Sequence, residues 1–502
     1  QKMNPPELKN PHIFQKLGCV DVKSLESCDQ LLLILTPKPA ASHFKQLPSG
    51  DKIQRVLRKL PAGSTPIFTT RLSNARQTLV VGGSITKDAT IFEQLTLGRK
   101  LVAEACGKNT GSLGICVIGF SADQSTAIYN CVIAAALAAA FQLPSFKSKK
   151  SKAPIKSLRL LGVTKKIDTS RVEAEAKGNN LARWLATMPP NKMDAAAYSD
   201  LVRTLAKANG WSFKRYGTKE LTQLGAGAFL AVAQGNDNDS AGILRLRYRP
   251  SVKIKNADLS LVGKGIIFDT GGTNLKPFQS MLDMHGDMQG SAVAVGTLLA
   301  ISELQLPIAV DCWLAITENR TGPNAYKSQD VVTAVNGKTI QTVHTDAEGR
   351  MVLADTLVLA SRDKPAIIFD YATLTGSCVT AITTYYSGVF TNRADLHPHL
   401  KHTGRISGER VWPFPIGKEF MADLKSETAD FLQCSPKAPG DHILAASFLA
   451  EFVENDTPWV HMDLSASDND GGLGHVGSKF TGFGVRYTMS AILDDNLFKA
   501  NL

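Results

Sequence analysis

The sequence predicts an α/β protein of two domains, and three observations support this fold class. With 502 residues the chain is too long to fold around one hydrophobic core, so at least two domains are expected. Short apolar segments bounded by Pro, Gly or Ser alternate with longer amphipathic ones, as strands alternate with helices in α/β folds. No apolar run reaches the roughly 18 residues that a membrane-spanning helix needs, so a globular protein is predicted.

The first predicted domain spans residues 1–168. Its strands are predicted at 31–35, 77–81, 113–118 and 158–161, and its helices at 92–106 and 123–141. The basic segment 146–154 predicts a surface loop. Because this part of the sequence has no recognisable nucleophile, metal cluster or phosphate loop, its predicted role is structural or in assembly.

A helix over residues 169–190 is predicted to connect the two domains. Ser170 is the expected N-cap, and the helix should run to about Thr187. The following Met188-Pro-Pro-Asn191 should end it, since proline cannot continue a helix.

The second predicted domain, residues 191–502, is larger and should contain a mixed central sheet flanked by helices. Its strands are predicted at 243–248, 259–268, 308–314, 367–371 and 459–464. Its helices are predicted at 196–209, 291–304, 351–361 and 443–453.

The formal net charge of +11 permits contact with nucleic acid, but part of the excess lies in the short segment 147–152. No interleaved aromatic pattern or helix-turn-helix signal accompanies it, so a solvated loop is favoured. The eight cysteines form no C-x-x-C pair, which favours reduced thiols and a cytoplasmic location. Because the sequence begins at Gln1 without a signal peptide, a mitochondrial or other organellar location after loss of a transit segment stays an alternative.

Four carboxylates gather in the stretch from Leu261 to Arg350, where one follows an apolar strand and two lie two residues apart. That last spacing places both side chains on one face of an extended segment. Four such charges would repel one another, whereas two divalent cations would cancel them. The sequence therefore predicts a site for two divalent metal ions. The four residues are Asp269, Asp287, Asp346 and Glu348.

Three basic residues accompany the carboxylates. Beside two cations, the amine of Lys264 should lose its proton and could coordinate a metal. Lys276, held extended by Pro277, could stabilise a developing oxyanion. Arg350 precedes the predicted helix 351–361, where free N–H groups and a guanidinium favour an anion. Each motif alone is weak, since a surface lysine or a solvated carboxylate pair would explain it, so the prediction depends on their co-occurrence.

Together these motifs resemble the leucyl aminopeptidase family of two-metal exopeptidases. The resemblance covers the connector helix and the second domain, whereas the first domain is similar only in architecture, as a macro-like α/β domain. The motifs are the run 262–277, the segment 284–288 and the segment 344–350, with further matches at Glu318-Asn319, 372–376, Ala429-Asp430, Trp459, His461 and Asp463.

The resemblance implies a role for each site residue. One metal would be bound by Lys264, Asp269, Asp287 and Glu348, and a more exchangeable one by Asp269, Asp346 and Glu348. A water between them would be the nucleophile, and the free α-amine of the substrate would bind one metal. Lys276 would polarise the scissile carbonyl, and Arg350 would hold a bicarbonate ion that shuttles the proton. Substrate contacts would come from Met284, Thr373, Leu374, Gly376 and Ser465.

Several residues depart from the family pattern. His344 replaces an asparagine and is expected to make indirect or substrate contacts, and His285-Gly286 and Ser328-Gln329 are also unusual. Ser465 replaces a small apolar residue, so the pocket for the first residue should be slightly more polar. His461 is interpreted as a core histidine. The trio His397, His399 and His402 is interpreted as lying in a loop and not in a metal site.

The predicted function is a metal-dependent aminopeptidase with a leucine-like preference, using Zn²⁺ or Mn²⁺, with Mg²⁺ or Co²⁺ possible. Peptides are the expected substrates. A homohexamer is implied by the resemblance only, and neither a membrane nor nucleic acid is an expected partner. The alternatives are a scaffold protein built on this fold and a nucleic-acid binder with a second role.

Overall fold

The computed structural model describes residues 3–61, 67–106, 111–149, 155–251 and 253–501 of the chain. The fold is α/β, as predicted, and contains two large sheets and a small three-stranded one. Residues 150–154 of the predicted basic loop lie outside the described ranges, and residues 146–149 are exposed and outside helices and strands. Among the described residues, no helix is both long and apolar enough to cross a bilayer.

The first third of the chain forms a six-stranded sheet in the order β1-β6-β5-β2-β4-β3, parallel except for the edge strand β3. Its strands are β1 (His12–Leu17), β2 (Gln30–Leu35), β3 (Phe68–Arg71), β4 (Leu79–Ser84), β5 (Ser112–Ile118) and β6 (Ser157–Val163). Its helices are α1 (Val22–Glu26), α2 (Ala41–Phe44), α3 (Gly50–Arg58), α4 (Ile91–Cys106) and α5 (Ala122–Ala140). Successive residues of β2 point to opposite faces, so that Leu32 packs with α4 and α5 while Leu31 packs with α1 to α3.

Helix α6 (Ser170–Thr187) lies between the two large sheets, over the residues predicted for the connector. Thr169 is the N-cap and makes no side-chain cap hydrogen bond, so the prediction of Ser170 as the cap is wrong by one residue. The buried guanidinium of Arg183 donates to Ala138 O of α5, to Asn180 Oδ1 of its own helix and to Ser478 Oγ. This one side chain thus joins both halves of the molecule.

The rest of the chain forms an eight-stranded mixed sheet in the order β15-β14-β17-β13-β9-β10-β8-β7, whose four middle strands are parallel. The strands are β7 (Ser212–Gly217), β8 (Gly242–Tyr248), β9 (Leu259–Asp269), β10 (Val310–Asn319), β11 (Val331–Thr333), β12 (Thr339–Gln341), β13 (Ile368–Ala372), β14 (Ser387–Thr391), β15 (Val411–Pro413), β16 (Phe431–Leu432) and β17 (Trp459–Asp463). Strands β11, β12 and β16 form the small sheet.

Helices cover both faces of this sheet, which explains why its middle strands are buried along nearly their whole length. Helices α6, α7, α11, α14 and α17 pack on one face and α9, α12 and α16 on the other. The helices are α7 (Ala195–Asn209), α8 (Thr218–Gln223), α9 (Gly227–Ala233), α10 (Phe278–Met281), α11 (Gln289–Glu303), α12 (Glu348–Arg362), α13 (Gly376–Ile382), α14 (His397–Ser407), α15 (Lys418–Met421), α16 (Asp441–Ala450), α17 (Val485–Leu493) and α18 (Asn496–Asn501), with 3-10 turns at Met284–Gly286, Ala394–Leu396 and Ala422–Leu424.

Candidate active site

The predicted site residues meet at the carboxyl edge of the parallel strands, where open α/β sheets bind their ligands. Asp269 is the last residue of β9, Asn319 of β10 and Asp463 of β17, and Thr373 directly follows β13. A cavity of ≈ 760 Å³ opens at this edge. All twelve residues that were predicted to bind metal, take part in catalysis or bind substrate line this cavity: Lys264, Asp269, Lys276, Met284, Asp287, Asp346, Glu348, Arg350, Thr373, Leu374, Gly376 and Ser465.

A tight turn after β9 brings Lys276 back to Asp269. Gly271 and Gly272 have φ values of 87° and 70°, a left-handed conformation that glycine adopts without strain. A Cβ atom on Gly272 would also lie 2.9 Å from Thr345 Oγ1. The returning backbone donates from Lys276 N to Thr270 O at 2.9 Å, which fixes the start of the lysine side chain.

Carboxylate oxygens of Asp269, Asp346 and Glu348 lie within 4.8 Å of one another. Lys264 Nζ lies 2.9 Å from both Asp287 Oδ1 and Glu348 Oε1. Lys276 Nζ lies 3.0 Å from Asp269 Oδ2 and 2.6 Å from Asp346 Oδ1. Four carboxylates therefore share two ammonium groups.

Two buried carboxylate oxygens of this cluster, Asp287 Oδ2 and Glu348 Oε2, have no hydrogen-bond partner among the described residues. Leaving a buried polar group unsatisfied costs about 1–3 kcal/mol, and more if the group is charged. A divalent cation would supply the missing partner and cancel the excess negative charge. The acidic cluster thus fits divalent metal ions.

Burial and mutual repulsion raise the pKa values of Asp287, Asp346 and Glu348 above their ordinary range. Burial alone would lower the pKa of Lys264, but the charges of Asp287, Glu348 and Asp269 raise it instead. Lys264 therefore holds its proton among these carboxylates, and the predicted neutral amine requires a cation to displace that proton.

Asn319 and Tyr326 position this cluster, and the sequence interpretation gave them no role. Asn319 Nδ2 donates to Asp269 Oδ1 at 2.8 Å and to Thr345 O at 3.0 Å. Tyr326 Oη donates to the same carbonyl at 2.7 Å. The Glu318-Asn319 motif was the available signal, but its purpose depends on the register that pairs Asn319 with Asp269.

The predicted substrate-binding residues line the same cavity as the two lysines. Thr373 Oγ1 donates to Asp287 Oδ1 at 2.7 Å, Leu374 N donates to Asp463 Oδ1 at 3.2 Å, and Ser465 Oγ donates to Tyr386 O at 2.6 Å. Asp463 thereby shapes the loop after β13, a role that the sequence did not predict.

Arg350 is 2 % exposed, and both of its terminal nitrogens have acceptors within the protein, whereas its buried Nε has none among the described residues. Its Nη1 and Nη2 atoms donate to the two carboxylate oxygens of Asp441, at 3.0 and 2.6 Å, and Nη1 also approaches Gln433 O at 3.3 Å. The bicarbonate ion that the resemblance assigns to Arg350 does not fit this arrangement, because a carboxylate already occupies both terminal nitrogens.

Three of the histidines singled out in the sequence lie in different environments. His344 lines the cavity and its Nδ1 accepts from Asp346 N at 3.2 Å, as an indirect contact to the cluster. His461 is fully buried and lies 2.5 Å from Asp370, which agrees with a core histidine. The loop predicted around His399 is wrong: α14 covers it, because Pro398 is tolerated in the first turn of a helix. His399 pairs with Asp495 at 3.2 Å and not with a metal-binding set.

Buried carboxylates with unsatisfied oxygens and two lysines among them form a site that fits divalent metals and opens to a cavity. The model of the cytosol aminopeptidase family, catalytic domain, matches residues 180–489. The chain belongs to the cytosol aminopeptidase family, and it is a peptidase.

Relatives and a solved structure extend this similarity over most of the chain. A probable cytosol aminopeptidase of Synechococcus sp. (strain CC9605) is 36% identical over 85% of this chain and 88% of its own length. One of Stutzerimonas stutzeri (strain A1501) is 39% identical over 64% and 66%. The bottromycin maturation enzyme BotP in complex with Mn is similar in structure, with a TM-score of 0.80 and 27% identity, over 93% of this chain and 99% of that one.

Proposed function

We propose that the protein is a two-metal aminopeptidase that removes the N-terminal residue of peptides. The observation that supports this best is the pair of orphaned carboxylate oxygens within a cluster of three buried acids and the half-buried Asp346. Lys264, Asp269, Asp287 and Glu348 are the proposed ligands of one metal, and Asp269, Asp346 and Glu348 of the other. Zn²⁺ or Mn²⁺ is the preferred occupant, and Mg²⁺ or Co²⁺ also suits an oxygen-rich site.

When bound, the two ions would supply an activated water and Lewis acidity toward the scissile carbonyl. Lys276 would then donate to the carbonyl oxygen as negative charge develops on it. Its ammonium is suited to this role, because Asp269 and Asp346 raise its pKa against the opposing effect of burial. Asn319 would hold Asp269 in place throughout.

The residues that line the cavity support a preference for particular side chains at the first residue of the peptide. Met284, Val379 and Leu464 offer apolar surface, which suits the leucine-like side chain predicted from the sequence. Asp468 lines the same cavity, and its Oδ1 accepts from Gln289 Nε2 at 2.7 Å. We therefore propose that the site accepts long basic residues at the N-terminus of the peptide as well as leucine.

The test is hydrolysis of aminoacyl p-nitroanilides by protein loaded with Mn²⁺ or Zn²⁺, with metal content measured on the same sample. Leucine, methionine, lysine and arginine substrates are compared. Asp468→Leu should lower kcat/KM for the two basic substrates and leave that for leucine nearly unchanged. Full metal occupancy without hydrolysis of any substrate would favour the scaffold alternative.

Assembly and location stay predictions. A homohexamer is expected from the resemblance, and sedimentation of the purified protein tests it. A cytosolic location is expected from the free cysteines, six of which are buried, and from the similarity to probable cytosol aminopeptidases. A salt-dependent shift of duplex DNA would instead favour the nucleic-acid alternative.

A further inference from the structure

The pair of Arg350 and Asp441 connects two helices at the wall of the active-site cavity. Arg350 lies in the first turn of α12, two residues after Glu348, and Asp441 is the first residue of α16. The pair is bidentate, with both terminal nitrogens of the guanidinium facing the two carboxylate oxygens. This is the strongest geometry available to the two groups, because the fork of the guanidinium matches the carboxylate.

The two members of the pair differ in exposure. Arg350 is buried, whereas the Asp441 side chain is 39% exposed and lines the cavity with the metal cluster. A carboxylate can accept about four hydrogen bonds, and Arg350 uses one position on each oxygen. The remaining positions on Asp441 are therefore accessible from the cavity.

We propose that Asp441 takes the place of the bicarbonate ion and serves as a built-in carboxylate that relays the proton during hydrolysis. The inference depends on the proposed aminopeptidase function. As the water oxygen bonds to the scissile carbon, one water proton passes to Asp441. As the carbon–nitrogen bond breaks, the same proton passes to the leaving amine, so Asp441 ends ionised, as it began.

The surroundings of Asp441 favour its ionised form. Burial alone would raise its pKa, but the charge and hydrogen bonds of Arg350 bring it below the ordinary value, with smaller effects from His442 and His344. Asp441 would thus be ionised at neutral pH, which is the form in which a relay group must begin.

The first test compares the rates of wild-type protein in carbon dioxide-free buffer and in millimolar bicarbonate. The metal-loaded protein should hydrolyse a suitable p-nitroanilide equally fast in both, because its relay group is covalently present. A rate that rises severalfold with bicarbonate would overturn the inference while leaving the aminopeptidase function intact.

The second test uses a matched pair of variants with metal content and circular dichroism as controls. Asp441→Ala removes the carboxylate and opens its space, so the rate should fall by about 100-fold and recover with bicarbonate or formate. Asp441→Asn keeps the volume but cannot accept the proton, so it should be slow and not recover. If neither anion restored the rate of a folded, metal-loaded Asp441→Ala protein, Asp441 would be only a structural partner of Arg350.

A binding measurement separates this inference from the proposed function. Line broadening of ¹³C-labelled bicarbonate by the zinc-loaded proteins should be greater for Asp441→Ala than for wild type or Asp441→Asn, whose anion position is filled. Equal broadening by wild type and Asp441→Ala would contradict the filled position, even if no peptide substrate were cleaved. Loss of hydrolysis by wild type with every substrate would instead contradict the proposed function.

Discussion

Two sets of buried acids in the second half of the chain differ in how their oxygens are satisfied. Asp355 on α12 accepts from Val335 N and Phe229 N at 2.8 Å each, one on each oxygen. Glu409 accepts from Tyr487 N at 2.7 Å and Gly484 N at 3.2 Å. In the cavity, by contrast, Asp287 and Glu348 each keep an oxygen without a donor.

Burial raises the pKa of acids in both sets, to about 7 for Asp355 and for Glu409. A raised pKa therefore does not distinguish a functional carboxylate from a structural one in this molecule. The hydrogen-bond donors around each carboxylate do distinguish the two sets. Backbone N–H groups satisfy the oxygens of the structural acids, whereas the site acids face one another. The following variants test that distinction, from the largest expected effect to the smallest.

Asp269→Ala should have the largest effect, because it removes an oxygen donor shared by both proposed metal sites. The loss of several kcal/mol of metal-assisted stabilisation corresponds to a rate reduced by about 1,000-fold or more. Metal analysis should show reduced occupancy. Asp423→Ala, at an exposed position, serves as the control and should retain metal and rate. Full metal and activity in Asp269→Ala would refute the ligand assignment.

Lys276→Ala should lower kcat by about 100-fold, because one donor to the developing oxyanion is lost. Its metal content should match that of wild type, since the carboxylates remain. Steady-state kinetics and metal analysis on one preparation separate this outcome from that of Asp269→Ala. Loss of metal from Lys276→Ala would instead show that the lysine holds the metal-binding cluster together.

Asp355→Ala should affect stability and leave the site intact. Two buried backbone donors would lose their acceptor, at about 1–3 kcal/mol each. Denaturant unfolding should show the decrease, and the folded protein should keep its metal and its kcat. A folded Asp355→Ala protein that had lost metal would contradict the distinction between structural acids and site acids.

The pH dependence of stability provides a finer test at Glu409. Its pKa is raised in the folded state, so its protonated form stabilises the fold at acidic pH. That contribution is complete below the ordinary pKa of glutamate and is lost as the pH rises through about 7. Relative to Glu409→Gln, wild type should therefore lose stability between pH 4.5 and 8. A constant difference across this range would contradict the raised pKa.

Strongly patterned elements could be predicted from the sequence because their signals are local. The helix 170–187 and the apolar strand ending at Asp269 were predicted within a residue, and the structure brings the whole predicted site together. Strand β4 was predicted too early, at 77–81. The reason is tertiary: Gly82 pairs with Leu33 of β2 and Phe68 of β3, and the ring of Phe68 occupies the space where a Cβ atom would lie.

The contacts that could not be predicted join residues far apart in the chain. Arg350 and Asp441 are 91 positions apart, and Asn319 reaches Asp269 only through the pairing of β10 with β9. Neither partner has a local pattern that indicates the other. A bicarbonate site was therefore expected at Arg350, and the carboxylate that fills it was not.

Arg183 has a thermodynamic consequence for the whole molecule. Its guanidinium donates to acceptors on α5, α6 and the segment at Ser478, and burial lowers its pKa to about 10. Separating the two sheets would leave those acceptors and the guanidinium without their hydrogen-bond partners. The halves should consequently melt in one cooperative calorimetric transition, and Arg183→Leu should split that peak in two.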